Sequence, residues 1–171
     1  LERGVRPYAQ IGFMPKELSV KPEPYQHAWT PKARYDEIYT GWAYPPKDYA
    51  KWAELVYQWT KHCVEKYGRA EVETWYWEVW NEPNIKEFWG PSPNPKEFVK
   101  FMGVVNKQLG TTRRSRVKIV HAGISKADFN FLWSAWEADS NYGRLFDIMA
   151  VHPYFFNPKG GVNWRVHEGG R

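Results

Sequence analysis

The feature that most constrains this chain is a repeated alternation of strand-like and helix-like segments, each punctuated by its own start and stop residues. Residues 6–13 read as a short strand stopped by Pro15. Residues 16–44 are aromatic and Pro-rich with no sustained period, and a connection that long inside a compact domain is usually functional. Pro45-Pro46 then opens a helix whose Trp52, Leu55, Val56, Trp59, Cys63 and Tyr67 keep helical spacing, with Gly68 as its stop. Residues 74–80 are β-branched and aromatic with period two, a strand that runs straight into Asn81-Glu82-Pro83.

Asn94, Pro95 and Glu97 make a capping-box-like entry to the next helix. Its buried stripe is Phe98, Phe101, Met102, Val105 and Leu109, and Gly110 is its expected end. Residues 117–122 form a strand, 128–138 a helix presenting Phe131, Leu132, Ala135 and Trp136, and 145–154 the last strand. Strand–helix–strand repeated in this way predicts parallel β/α units, because a crossover helix is what joins neighbouring parallel strands. The expected architecture is α/β, a partial (β/α)8 TIM barrel of about four units. It is a single incomplete segment over residues 1–171, with barrel units in 6–154 and a loop or frayed end in 155–171. Residues 1–4 carry no apolar stretch of the kind found in a secretory signal, and the pattern opens partway through a fold.

Several functional classes fall away. No apolar run approaches the roughly 20 residues that cross a bilayer, so no membrane partner is expected. The net charge is +5, and its one dense cluster, Arg113, Arg114, Arg116 and Lys118, lies in a turn with no nucleic-acid motif beside it. Cys63 is the only cysteine; it falls on a helix's apolar stripe and reads as a small buried hydrophobe. The histidines His27, His62, His121, His152 and His167 show no close ligand spacing, so no metal is expected.

Aromatic residues make up 18% of the chain. Such content suits a sugar cleft, where aromatic faces pack on C–H surfaces, and it equally suits a large core.

In a β/α barrel, chemistry sits at the C-terminal ends of the strands. Three strand ends carry noteworthy groups: Gly12-Phe13-Met14-Pro15, Asn81-Glu82-Pro83-Asn84 and His152-Pro153-Tyr154. Glu82 follows the apolar run Trp75, Tyr76, Trp77, Val79 and Trp80, and apolar surroundings favour a carboxyl's protonated form. A glycosidase acid must hold a proton and deliver it to the glycosidic oxygen. Asn81 offers a neutral amide to a sugar hydroxyl. Glu78 would lie deeper as a supporting group, and Asp147 reads as a structural hydrogen-bonding residue.

The run Glu78-Val79-Trp80-Asn81-Glu82-Pro83-Asn84 resembles the fourth-strand motif of the clan of retaining (β/α)8 glycoside hydrolases. Gly12-Phe13-Met14-Pro15, Pro45-Pro46-Lys47-Asp48-Tyr49 with Trp52, and His62-Cys63-Val64 with Tyr67-Gly68 narrow the resemblance to glycoside hydrolase family 39, on its β-xylosidase side. The resemblance implies a retaining double displacement on an oligo- or polysaccharide, without cofactor. It implies Glu82 as acid/base, Asn81 on the hydroxyl next to the anomeric carbon, and His152 and Tyr154 lining the sugar site. Trp89, His27 and Trp29 are further candidate substrate contacts.

Counted against the family, the chain would supply the third to sixth strands, leaving the nucleophile of the seventh strand to the missing part of the barrel or another chain. Glu168 has no apolar strand ahead of it and is a poor substitute. Two other readings stay open: an endo-acting polysaccharide hydrolase of the same clan, and a non-catalytic carbohydrate-binding or structural fragment.

Overall fold

The computed structural model describes residues 4–25, 41–113 and 117–153. Strand β1 (Tyr8–Ile11) is followed by short 3-10 turns at Lys16–Leu18 and Gly41–Ala43, then helices α1 (Tyr49–Tyr67) and α2 (Arg69–Val72). Strand β2 (Tyr76–Val79) leads to helix α3 (Pro95–Arg113), and strands β3 (Lys118–His121) and β4 (Ile124–Ser125) to helix α4 (Phe129–Ala138). A 3-10 turn at Tyr142–Arg144 precedes β5 (Val151–His152).

All strand pairings between these elements are parallel. β2 lies between β1 and β3, in register from Tyr8↔Tyr76 to Ile11↔Val79 and from Tyr76↔Lys118 to Val79↔His121. β4 pairs with β5, Ile124↔Val151 and Ser125↔His152, and a single parallel bridge Val120↔Ile148 ties the approach to β5 onto β3. The crossover helices pack on one another in chain order, α1 on α3 and α3 on α4. This is the parallel α/β arrangement expected from the alternation. β2 is buried on both faces along Trp77, Glu78 and Val79, as covered parallel strands are.

The caps explain where the helices start. Asp48 accepts from Ala50 N (2.9 Å) and Lys51 N (3.1 Å), so α1 begins at Tyr49 and not at the Pro45-Pro46 pair, where Pro46 instead bridges to Ser19. Asn94 Oδ1 accepts from Glu97 N at 3.1 Å, as its position before Pro95 suggests. Phe98, Phe101, Met102, Val105 and Leu109 form a wholly buried stripe on α3. These side chains meet Trp52, Val56 and Cys63 of α1 and Trp77, Val79 and Trp80 of the sheet in one core.

Other boundaries differ from expectation. Gly110 does not end α3, which runs on to Arg113; a Cβ there would meet nothing, and the roughly 1 kcal/mol a helical glycine costs is outweighed by the packed stripe beside it. The last strand is confined to Val151–His152, with Leu145 closing the preceding turn. There Asp147 Oδ2 accepts from Ile119 N (2.9 Å) while Asp147 N and Ile148 N both donate to Ile119 O, so a side chain replaces a regular ladder rung.

Trp136 is half-exposed, and Leu55, Trp59 and Tyr67 of α1 lie at the edge of the core and stay partly exposed, with the Trp59 and Tyr67 rings packed on Trp77 and Trp75. Their periodicity is real, but the stripe is wider than the surface it packs on. Among the described residues no helix is long and apolar enough to cross a membrane.

Candidate active site at the strand ends

The chain leaves β2 through a strained turn. Trp80 N donates to Ile11 O at 2.9 Å, extending the ladder to β1, and two residues later Glu82 N donates to Gly123 O at 2.9 Å, beyond the end of β3. Trp80 (φ 72°) and Glu82 (φ 40°) both occupy the left-handed region that non-glycine residues avoid. Such conformations persist only where the surroundings over-determine them, and they cluster at functional sites.

The surroundings here are specific. The Trp80 indole N–H donates to Phe88 O at 2.6 Å, and its ring stands edge-on to Phe13, Trp89 and Phe101. Asn84 clamps the next segment: its Oδ1 accepts from Ser125 N (2.9 Å), and its Nδ2 donates to Ser125 O (2.9 Å) and Asp128 Oδ2 (3.2 Å). Asp128 Oδ1 in turn accepts from Phe131 N at 3.0 Å, capping α4.

Glu82 is thereby held almost fully buried, 4% exposed, with Oε1 at 2.7 Å from His152 Nδ1 at the end of β5. Its other oxygen makes no hydrogen bond among the described residues. The His152 side chain keeps 31% of its surface, so this carboxyl–imidazole pair has one buried and one partly open member. Asn81, half-buried, makes no side-chain hydrogen bond among the described residues and its amide remains available.

Below this layer Glu78 accepts from Gln10 Nε2 (2.9 Å) and from Gly123 N (3.1 Å), linking β1, β2 and the end of β3. Gln10 also reaches Trp80 O at 3.4 Å.

Of the residues singled out from sequence, the fold brings Glu82, Asn81 and His152 to neighbouring strand ends. Trp89 lies elsewhere. It has no exposed surface and packs edge-on against Trp80, Phe98 and Phe101, so it is a core residue and offers no face to a sugar. An aromatic six residues past a motif has no periodicity to tell a site wall from a core filler. His27, Trp29 and Tyr154, together with Glu168, lie outside the described residues.

Sequence reasoning missed Gln10 and Gly123. Gln10 sits mid-strand and carries no signal. A glycine just past a strand is a known sign of close approach by another group, and Gly123 was legible in that limited sense. Among the described residues no three His, Cys, Asp or Glu side chains converge as metal ligands do.

The model for glycosyl hydrolases family 39 matches residues 1–118, and the chain belongs to that family. It is 38% identical over 112 residues to a β-xylosidase of Geobacillus stearothermophilus, a match covering 64% of this chain and 19% of that protein. It is 36% identical over 88 residues to a β-xylosidase of Caldicellulosiruptor saccharolyticus, covering 52% and 16%.

Among solved structures, a monomeric β-xylosidase from Caulobacter crescentus CB15 aligns with a TM-score of 0.68 at 21% identity. The family 39 enzyme from Xanthomonas axonopodis pv. citri aligns with a TM-score of 0.69, also at 21% identity. Each alignment covers 94% of this chain and 30% of the other. These likenesses establish a shared α/β fold. The chain spans less than a fifth of the length of either curated relative.

Proposed function

We propose that this chain carries the acid/base side of a retaining glycosidase site, on a segment corresponding to about four units of a (β/α)8 barrel, and acts on β-xylosides. The observation that carries this reading is Glu82: a carboxyl at a strand's C-terminal end, nearly buried, on strained backbone, with one oxygen engaged by His152 and the other without a partner among the described residues.

In a double displacement the protonated carboxyl gives its proton to the glycosidic oxygen while a second carboxylate forms a covalent glycosyl ester. The same group then takes a proton from the water that hydrolyses the ester. Glu82 performs both transfers in this reading. Its contact with His152 fixes the carboxyl's orientation, so the remaining oxygen addresses the substrate. Asn81 holds the neighbouring sugar hydroxyl through its amide, and His152 and Tyr154 flank the sugar.

The second carboxylate must stand about 5–5.5 Å from the first. It comes, in this reading, from the rest of the barrel or another chain.

A non-catalytic carbohydrate-binding role is the second reading, and one observation favours it. The other described carboxylates near the strand ends are all committed to hydrogen bonds: Glu78 to Gly123 N and Gln10, Asp147 to Ile119 N, and Asp128 to Phe131 N and Asn84.

Hydrolysis of an aryl β-xyloside by the chain and by Glu82→Ala separates the two. Loss of about 10²–10⁴-fold in the variant supports the acid/base role. Turnover undiminished by Glu82→Ala sinks it. Saturable sugar binding without turnover, at an affinity indifferent to Glu82→Gln, favours the binding role.

A further inference from the structure

Gly123 lies in the two-residue link between β3 and β4 and is held from three sides. Its N–H donates to Glu78 Oε1 (3.1 Å), its carbonyl accepts from Glu82 N (2.9 Å), and the His152 imidazole lies directly against its Cα. A Cβ added there would come within 2.5 Å of His152 Cε1 and 2.7 Å of Cδ2, with Nε2 nearer still, whereas ordinary contact begins near 3.4 Å.

Backbone conformation is not what demands glycine. The described glycines with positive φ are Gly4, Gly12 and Gly68, so alanine is allowed at 123 on dihedral grounds. What remains is space. The backbone cannot retreat without breaking its bonds to Glu78 and Glu82, so the imidazole is the group that yields, and His152 Nδ1 then leaves Glu82 Oε1.

We propose that Gly123 is the positioning residue for the Glu82–His152 contact: its missing side chain is the space in which the imidazole must lie to reach the carboxyl. The catalytic meaning of that contact rests on the acid/base reading of Glu82, whereas the steric relation does not.

The test is a pair of substitution cycles on the whole chain, neither of which needs turnover. In the first, the chain carries ring-¹⁵N histidine and the response of the His152 Nδ1 resonance to Glu82→Gln is read at one pH. That response, clear with glycine at 123, falls to less than about a third in Gly123→Ala. In the second, urea unfolding compares Gly123→Ala with and without His152→Ala. The alanine lowers the midpoint, or prevents folding, when the imidazole is present, and most of the loss disappears when it is removed.

A folded Gly123→Ala protein whose Nδ1 still responds fully to Glu82→Gln overturns the proposal. So does an equal loss of stability, or failure to fold, in both backgrounds. Either result leaves the acid/base reading of Glu82 untouched, and hydrolysis that survives Glu82→Ala leaves the Gly123 relation untouched.

Discussion

His121, the last residue of β3, makes the stability of this fold depend on pH in a way that can be worked out in advance. Its imidazole is fully buried, edge-on to Phe98, Tyr142 and Phe146. Nδ1 faces Ala122 O at 2.6 Å and must donate, so in the neutral ring Nε2 accepts from the Tyr142 hydroxyl. Burial lowers its pKa from 6.5 to about 4, against a smaller opposing push from the Ala122 carbonyl.

Above pH 6.5 both folded and unfolded chains hold this ring neutral. As pH falls from 6.5 towards 4 the unfolded chain binds a proton that the native state refuses, so stability drops; below about 4 the loss levels off. The whole window is worth about 3 kcal/mol, and the part between pH 6.5 and 5 about 2 kcal/mol.

The comparison protein is His121→Leu with Tyr142→Phe, which removes both partners and strands neither. Urea unfolding at pH 7.5 and 5 reads the effect, because the other histidines contribute equally to both proteins and cancel in the difference. The wild-type chain should lose about 2 kcal/mol more than the double variant over this interval. A difference below about 0.5 kcal/mol would refute the buried neutral histidine.

Two further substitutions test the packing around the strand ends. Trp89→Ala should destabilise the fold by about 3–5 kcal/mol in urea unfolding, since it empties the space between Trp80, Phe98 and Phe101; a change under 1 kcal/mol, on the order of a surface substitution, would return Trp89 to the list of sugar contacts. Asn84→Ala should cost about 1–3 kcal/mol by orphaning the Ser125 backbone groups, and amide exchange at Ser125 should rise with it. Unchanged exchange would contradict the clamp.

The helices were legible because both of their signals are local. Periodic apolar residues define α1, α3 and α4, and Asn94 caps α3 from the position where the sequence sets it, whereas Asp128, read as the first residue of α4, is its cap. That the strands run parallel followed from the alternation, whereas the short strand β4 and its pairing with β5 did not. What the sequence hid depends on contacts between distant segments. Asp147 taking a ladder position from the backbone shortens the last strand, and no run of residues announces that.

The family resemblance offers Trp89 as a substrate contact, yet the chain turns it inward beneath Trp80. In the site, Glu82 could be singled out by its place after an apolar strand, whereas Gly123 and Gln10 acquire meaning only once β3 and β1 are laid beside β2. Leu55 and Trp59, with Phe129, Trp133 and Trp136 on α4, show that helical spacing identifies an apolar face without saying how much of it is covered.

The claim that Glu82, Asn81 and His152 form a sugar site is tested most directly by titrating a β-xyloside into the labelled chain and following the side-chain resonances of these three residues. The account predicts saturable shifts at all three, and weaker ones at Asn81 and His152 when Glu82 is replaced by alanine. A folded chain in which the xyloside moves none of the three, or moves Asn81 and His152 identically in Glu82→Ala, would contradict it.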